Sequence, residues 1–128
     1  MRLLLDTQAL IWWTEGHVRL SETAQTAIAS NANQIFVSAV SAMEIATKFR
    51  IGKLPGAGRL AEHFEQEIAA EGFQPLAIDV SHGRLAGGLV IPHKDPFDRL
   101  LIAQAMIEGM TLVSNEAVFD AFGAPRLW

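Results

Sequence analysis

An α/β fold with a mostly parallel central sheet and helices on both faces is what this sequence predicts, and three observations carry the prediction. Short leucine-rich or β-branched runs alternate with longer helical stretches, with no internal repeat, low-complexity tract or long linker between them. Strands alternating with helices imply right-handed βαβ crossovers and hence parallel pairing. The chain has 128 residues, enough for a real core but for no second one, so residues 1–128 read as a single domain. Half the residues are hydrophobic and 19% are charged, which argues against disorder and suggests that a partner covers some apolar surface.

The elements follow in order. "RLLLD" (2–6) opens the chain as a strand, and a short helical stretch carrying Trp12 and Trp13 comes next. Ser21 caps a helix ending near Asn31, and "QIFVS" (34–38) is a central strand. "AVSAMEIATKFRIGKL" meets no breaker before Gly52 and reads as a helix; "PGAG" (55–58) then punctuates the chain. "RLAEHFEQEIAAEG" predicts one amphipathic helix stopped by Gly72. "FQPLAI" (73–78) is strand-like, but Pro75 confines it to an edge or a strand entrance. A helix starts near Ser81, "IPHK" lies in a loop, and "DPFDRLLIAQAMIEG" is a second long helix. "MTLVS" (110–114) is a strand, "NEAVFDAFG" a short helix and "APRLW" a last strand.

Composition narrows the chemistry. No segment approaches the ~20 continuous apolar residues of a membrane span. Asp6 interrupts the apolar start early and no cleavage site follows, so the N-terminus reads as mature structure. The absence of cysteine excludes disulfides and thiolate chemistry and fits a reducing cytoplasm. His17, His63, His82 and His93 lack the spacing of a histidine zinc site. A net charge of −4 argues against passive binding to nucleic acid, yet not against cations held between acids and phosphates.

In a parallel sheet, ligand chemistry gathers beyond the carboxyl ends of the strands. Asp6 stands at such an end, balanced between a helix cap and a site residue. Glu44 is explained locally by an i,i+4 pair with Lys48. Asp95 before Pro96 is a standard helix cap. Asp98 heads an apolar stripe through Leu101, Ile102 and Ala105, so an inward-facing carboxylate there points to function. Glu116 lies just past another strand end, in the first turn of a helix that Ser114 or Asn115 would cap, and Asp120 reads as solvated. Asp6, Asp98 and Glu116, with no lysine or arginine run near them, would repel one another unless a cation intervened. Oxygen-only donors select a hard ion, Mg²⁺ or Mn²⁺.

With these residues in hand, the sequence resembles the PIN-domain ribonucleases, and most closely the VapC-type toxins of prokaryotic toxin–antitoxin pairs. "LLLDT", "SAVSAMEIATK", "DRLLIAQA" and "LVSNE" carry the resemblance across essentially the whole chain. It implies a PIN-like three-layer fold and a metal-dependent endoribonuclease with Asp6, Glu44, Asp98 and Glu116 as catalytic acids and Mg²⁺ or Mn²⁺ ligands. Thr7, Asp95 and Ser114 would support them. It further implies homodimerisation, neutralisation by a VapB-type antitoxin and an RNA substrate, while the composition leads us to expect no membrane partner and a cytoplasmic location. Two positions depart from the family pattern: Glu116 stands where Asp is usual, and Gln8 where Asn or a small residue is commoner.

Other features have bland and functional readings. Lys48, Arg50, Lys53, His93, Lys94 and Arg99 are solvated helix ends first and RNA-phosphate contacts second. Trp12, Trp13 and Trp128 read as core or interface anchors ahead of base-stacking surfaces. Two competing functions stay open: a non-catalytic interaction module, and an aspartyl-phosphate phosphatase, disfavoured because Gln8 replaces that class's second acid.

Overall fold

A computed structural model describes all 128 residues. Five strands, β1 (Arg2–Leu5), β2 (Gln34–Ser38), β3 (Gln74–Leu76), β4 (Thr111–Val113) and β5 (Arg126–Leu127), form one sheet in the order β3-β2-β1-β4-β5, parallel throughout. Side chains alternate across a strand, so the opening leucines serve two cores. Leu3 and Leu5 join Ile35, Val37 and Val113 on one face, while Leu4 joins Phe36 and Leu112 on the other.

The first face is covered by α1 (Thr7–Glu15), α2 (Glu22–Ala29), α4 (Gly58–Glu62) and α5 (Phe64–Ala70), through Leu10, Ile28, Leu60, Phe64 and Ile68. The second is covered by α7 (Pro96–Glu108), through Leu101, Ile102 and Ala105, and by a 3-10 segment, Ala117–Phe122, through Phe119 and Phe122. Between α5 and α7, α6 (Val80–Gly88) packs on α7. The remaining helix, α3 (Ala39–Arg50), supplies Val40 to the second core and Ile45 to the first, so it spans both layers at the carboxyl edge of β2.

Pro75 sits in β3, the edge strand, where its missing N–H costs no internal ladder bond. Trp12 is buried against Trp128 and the ring of His17, and the Trp13 indole donates to Glu71 Oε2 at 3.0 Å, so all three tryptophans are packed anchors.

Three expectations change. The predicted single helix over 59–72 breaks at His63 (φ −132°, ψ 41°) into α4 and α5, although no glycine or proline lies there. An Arg59–Glu67 ion pair at 3.2 Å bridges the break, and Leu60, Phe64 and Ile68 remain buried on one side of it. The segment after β4 is 3-10, and Glu116 precedes it instead of lying in its first turn. Asp120 is exposed but not merely solvated: both its oxygens accept from Arg126, at 2.7 and 3.0 Å, which pulls its carboxyl below the usual range.

Candidate functional site

The chain moves from β1 outward to β2 and β3 on one side and returns to β4 and β5 on the other, so the crossovers diverge at the carboxyl ends of β1 and β4. Such a switch point leaves a crevice between the departing connections. Asp6 follows β1 and Ser114 follows β4, and the two strand ends are tied by the Asp6 N–H donating to Val113 O at 3.1 Å.

Asp6 is 6% exposed and caps α1, its Oδ1 accepting the Ala9 N–H at 2.8 Å. That bond engages one oxygen; the cap and ligand roles left balanced by the sequence therefore do not exclude each other. Burial pushes the Asp6 carboxyl up to about 6, against the lowering pull of the Ser114 hydroxyl and the Ala9 N–H and with a smaller contribution from Glu116 and Asp98.

Glu44 arrives on α3, whose start is locked by Ser38. The Ser38 hydroxyl accepts the Val40 N–H at 3.0 Å and donates to Gln104 Oε1 of α7 at 2.5 Å, entirely out of solvent. One turn later Ser41 meets Thr7 of α1, Oγ to Oγ1, at 3.0 Å. Glu44 ion-pairs with Lys48 as its spacing predicts, and both side chains also line the cleft.

Asp95 caps α7, with Oδ1 accepting the Phe97 and Asp98 N–H groups at 2.8 and 3.3 Å. Asp98, one turn ahead of the buried Leu101 and Ile102, is partly buried, and its Oδ2 lies 2.7 Å from His93 Nε2. Burial raises its carboxyl, His93 opposes this by hydrogen bonding, and Asp95 and Glu116 raise it further. Beyond β4, the Glu116 N–H donates to Ser114 Oγ at 3.0 Å, a local turn that aims the Glu116 side chain back toward Asp6.

The structure brings all four predicted acids to one cleft of about 160 Å³, lined by Asp6, Thr7, Gln8, Glu44, Lys48, Asp95, Asp98 and Glu116 with Ile11 and Leu54 at its sides. Asp95 and Thr7 are thus part of it, while Ser114 stands behind Asp6 and Glu116. One premise changes: Lys48 does lie among these acids, so the repulsion is five carboxylates against one ammonium. The donor set is all oxygen, and the cleft has room for a cation with waters of about 30 Å³ each. That combination suits a hard divalent ion.

Sequence reasoning missed the parts played by His93 and Arg99. Arg99 is no phosphate contact: its guanidinium donates to the carbonyls of Ala86, Leu89 and His93 at 2.8, 2.6 and 2.8 Å, folding the α6–α7 loop around itself. A second titratable group, Asp79, His82 and Glu108, has ligand atoms within 4.8 Å of one another. However, His82 Nδ1 accepts the Asp79 N–H at 3.1 Å and Nε2 donates to Glu108 Oε1 at 3.0 Å, so both ring nitrogens are already used. This buried histidine ties α6 to the end of α7.

A parallel sheet with an acidic cleft at its switch point defines a class in which carboxylates gather a hard cation at the strand ends. The sequence profile described as PIN domain matches residues 3–125, and the chain belongs to that family. It is similar to Ribonuclease VapC22 of Mycobacterium tuberculosis, 29% identical over 134 residues, covering 97% of this chain and 94% of that protein. Among solved structures, VapBC2 from Rickettsia felis bound to a DNA fragment from its promoter superposes with a TM-score of 0.68 at 18% identity, covering 98% of this chain and 97% of that one. A toxin–antitoxin complex from Klebsiella pneumoniae gives 0.68 at 18%, covering 97% and 94%. DNA-bound VapBC from Salmonella typhimurium gives 0.67 at 16%, covering 98% and 96%. At these identities the solved structures establish the shared fold. No helix is long and apolar enough to cross a membrane.

Proposed function

We propose that this protein is a VapC-type toxin, an endoribonuclease whose acidic cleft holds Mg²⁺ or Mn²⁺. The observation that carries the reading is the convergence of Asp6, Glu44, Asp98 and Glu116 from four separate elements, with Asp6 buried enough to be pushed to about 6. A protein does not gather carboxylates at such cost without something to neutralise them. The likeness to Ribonuclease VapC22 supports RNA as the substrate, and the fold shared with VapBC complexes supports a small antitoxin as partner.

Asp6 and Asp98, the more buried of the acids beside the strand ends, would hold the cation, with the Ala9 N–H bound to Oδ1 of the first and His93 to Oδ2 of the second. Glu44, paired with Lys48 at the cleft, would complete the donor set with Glu116, which is exposed at the rim. A divalent cation bound by these oxygens supplies an activated water and stabilises the charge that develops at the phosphate. Lys48, which lines the same cleft, would offer a contact to a substrate phosphate. No side chain is proposed as a covalent nucleophile. We further propose that residues 1–128 are one domain, that two copies associate, and that the protein works in the cytoplasm.

The test is cleavage of RNA by rigorously purified protein with Mn²⁺ or Mg²⁺, against EDTA. Asp6→Asn and Asp98→Asn should each lower the rate at least ~10²-fold. Equal residual cleavage by wild type and both variants would mean contamination, and the ribonuclease reading would fall.

A further inference from the structure

We infer that His93 is a positioning residue for the acidic cleft: it holds one oxygen of Asp98 so that the other faces the cation. This rests on the proposed metal centre and adds a residue outside its carboxylates.

Three contacts fix the imidazole. Its Nε2 lies 2.7 Å from Asp98 Oδ2, and because an ionised carboxylate only accepts, this nitrogen carries the proton. Its ring packs against Phe119 edge-on at 6.2 Å and against Phe122 at 5.8 Å between centroids. The main-chain carbonyl of His93 accepts from Arg99 Nη1 at 2.8 Å, and Arg99 also grips Ala86 O and Leu89 O, which holds the loop that carries the ring. The ring therefore cannot leave Asp98 without disturbing either the loop gripped by Arg99 or the aromatic pair.

This arrangement joins three pieces of chain that share no strand pairing. His93 belongs to the α6–α7 loop, Asp98 to the first turn of α7, and Phe119 and Phe122 to the 3-10 segment that follows Glu116. The imidazole thereby sets the orientation of one inner acid and packs against the segment that follows the outer one. A partner that orients a ligating carboxylate changes metal affinity by about ten- to a hundred-fold when removed. His93 itself has no place in the cleft lining, so it acts through Asp98.

Two substitutions separate orientation from packing. His93→Phe keeps an aromatic ring against Phe119 and Phe122 but has no donor; His93→Gln keeps an N–H donor of similar reach but no ring. Mn²⁺ affinity is read by calorimetric titration, and the melting temperature of each metal-free protein is recorded beside it. The expected result is a ten- to hundredfold weaker Mn²⁺ affinity for His93→Phe, at about this size, with the melting temperature near wild type, and affinity close to wild type for His93→Gln. Wild-type affinity in His93→Phe would overturn the inference, as would equal weakening in both variants in proportion to lost thermal stability. If wild type itself takes up no Mn²⁺, the metal centre and the role of His93 fall together, an outcome distinct from the other two.

Discussion

At Asp6 a single carboxylate caps a helix through Oδ1 and also lines the cleft, and its burial raises its carboxyl to about 6. The folded state binds its proton more tightly than the unfolded chain does, since the carboxyl rises from 3.8 to about 6. Stability from this group is therefore present below 3.8 and is lost as the pH rises toward 6. At about 1.4 kcal/mol per unit, the loss is on the order of 3 kcal/mol in the metal-free protein. Asn can also accept the Ala9 N–H, so Asp6→Asn keeps the cap and removes the buried charge. Scanning calorimetry without metal should find Asp6→Asn more heat-stable than wild type at pH 8, with the gap closing toward pH 4. A variant no more stable than wild type at pH 8 would show that Asp6 ionises there at no cost.

Among the elements, α3 decides whether Glu44 reaches the cleft, and α3 is set by side chains rather than by propensity. Ser38 caps it and bonds Gln104 across the second core, and Ser41 bonds Thr7 of α1. Ser38→Ala removes the cap and leaves Gln104 Oε1 without that partner in a buried site. The two losses together cost about 2–4 kcal/mol. Urea unfolding should give a lower midpoint at unchanged slope. Arg99 plays the corresponding part for the α6–α7 loop, where its fork replaces secondary structure by gathering carbonyls.

For the whole molecule, the two cores on either side of the sheet are closed, yet apolar side chains remain outside them. Met43, Ile51, Ile78, Val80, Val90, Met106, Ile107 and Val118 are all at least 40% exposed. A chain that is half hydrophobic and leaves these uncovered fits the proposed association of two copies. Light scattering across a concentration series should report a dimer; a monomer at every accessible concentration would remove that claim.

Much of this was legible in the sequence, because the signals are local. The leucine and β-branched runs mark buried strands, Asp95-Pro96 marks the start of α7, and Pro75 marks an edge. Strand-end carboxylates could likewise be picked out, since parallel strands expose their carboxyl ends to the crevice. The break at His63 left no such sign, for neither glycine nor proline stands there and Leu60, Phe64 and Ile68 keep a helical spacing across it. Local spacing explains Glu44 by Lys48 and only the family resemblance joins it to Asp6, while Lys48 is brought into the cleft by the fold alone. His93 sits five residues from Asp98, but its bond depends on a loop wound around Arg99 and on rings from beyond β4. Local propensity and period are written in a window of a few residues. Which distant charges meet, and how dry they are when they do, depends on the crossovers and on the closing of both layers, which exist only in the folded chain.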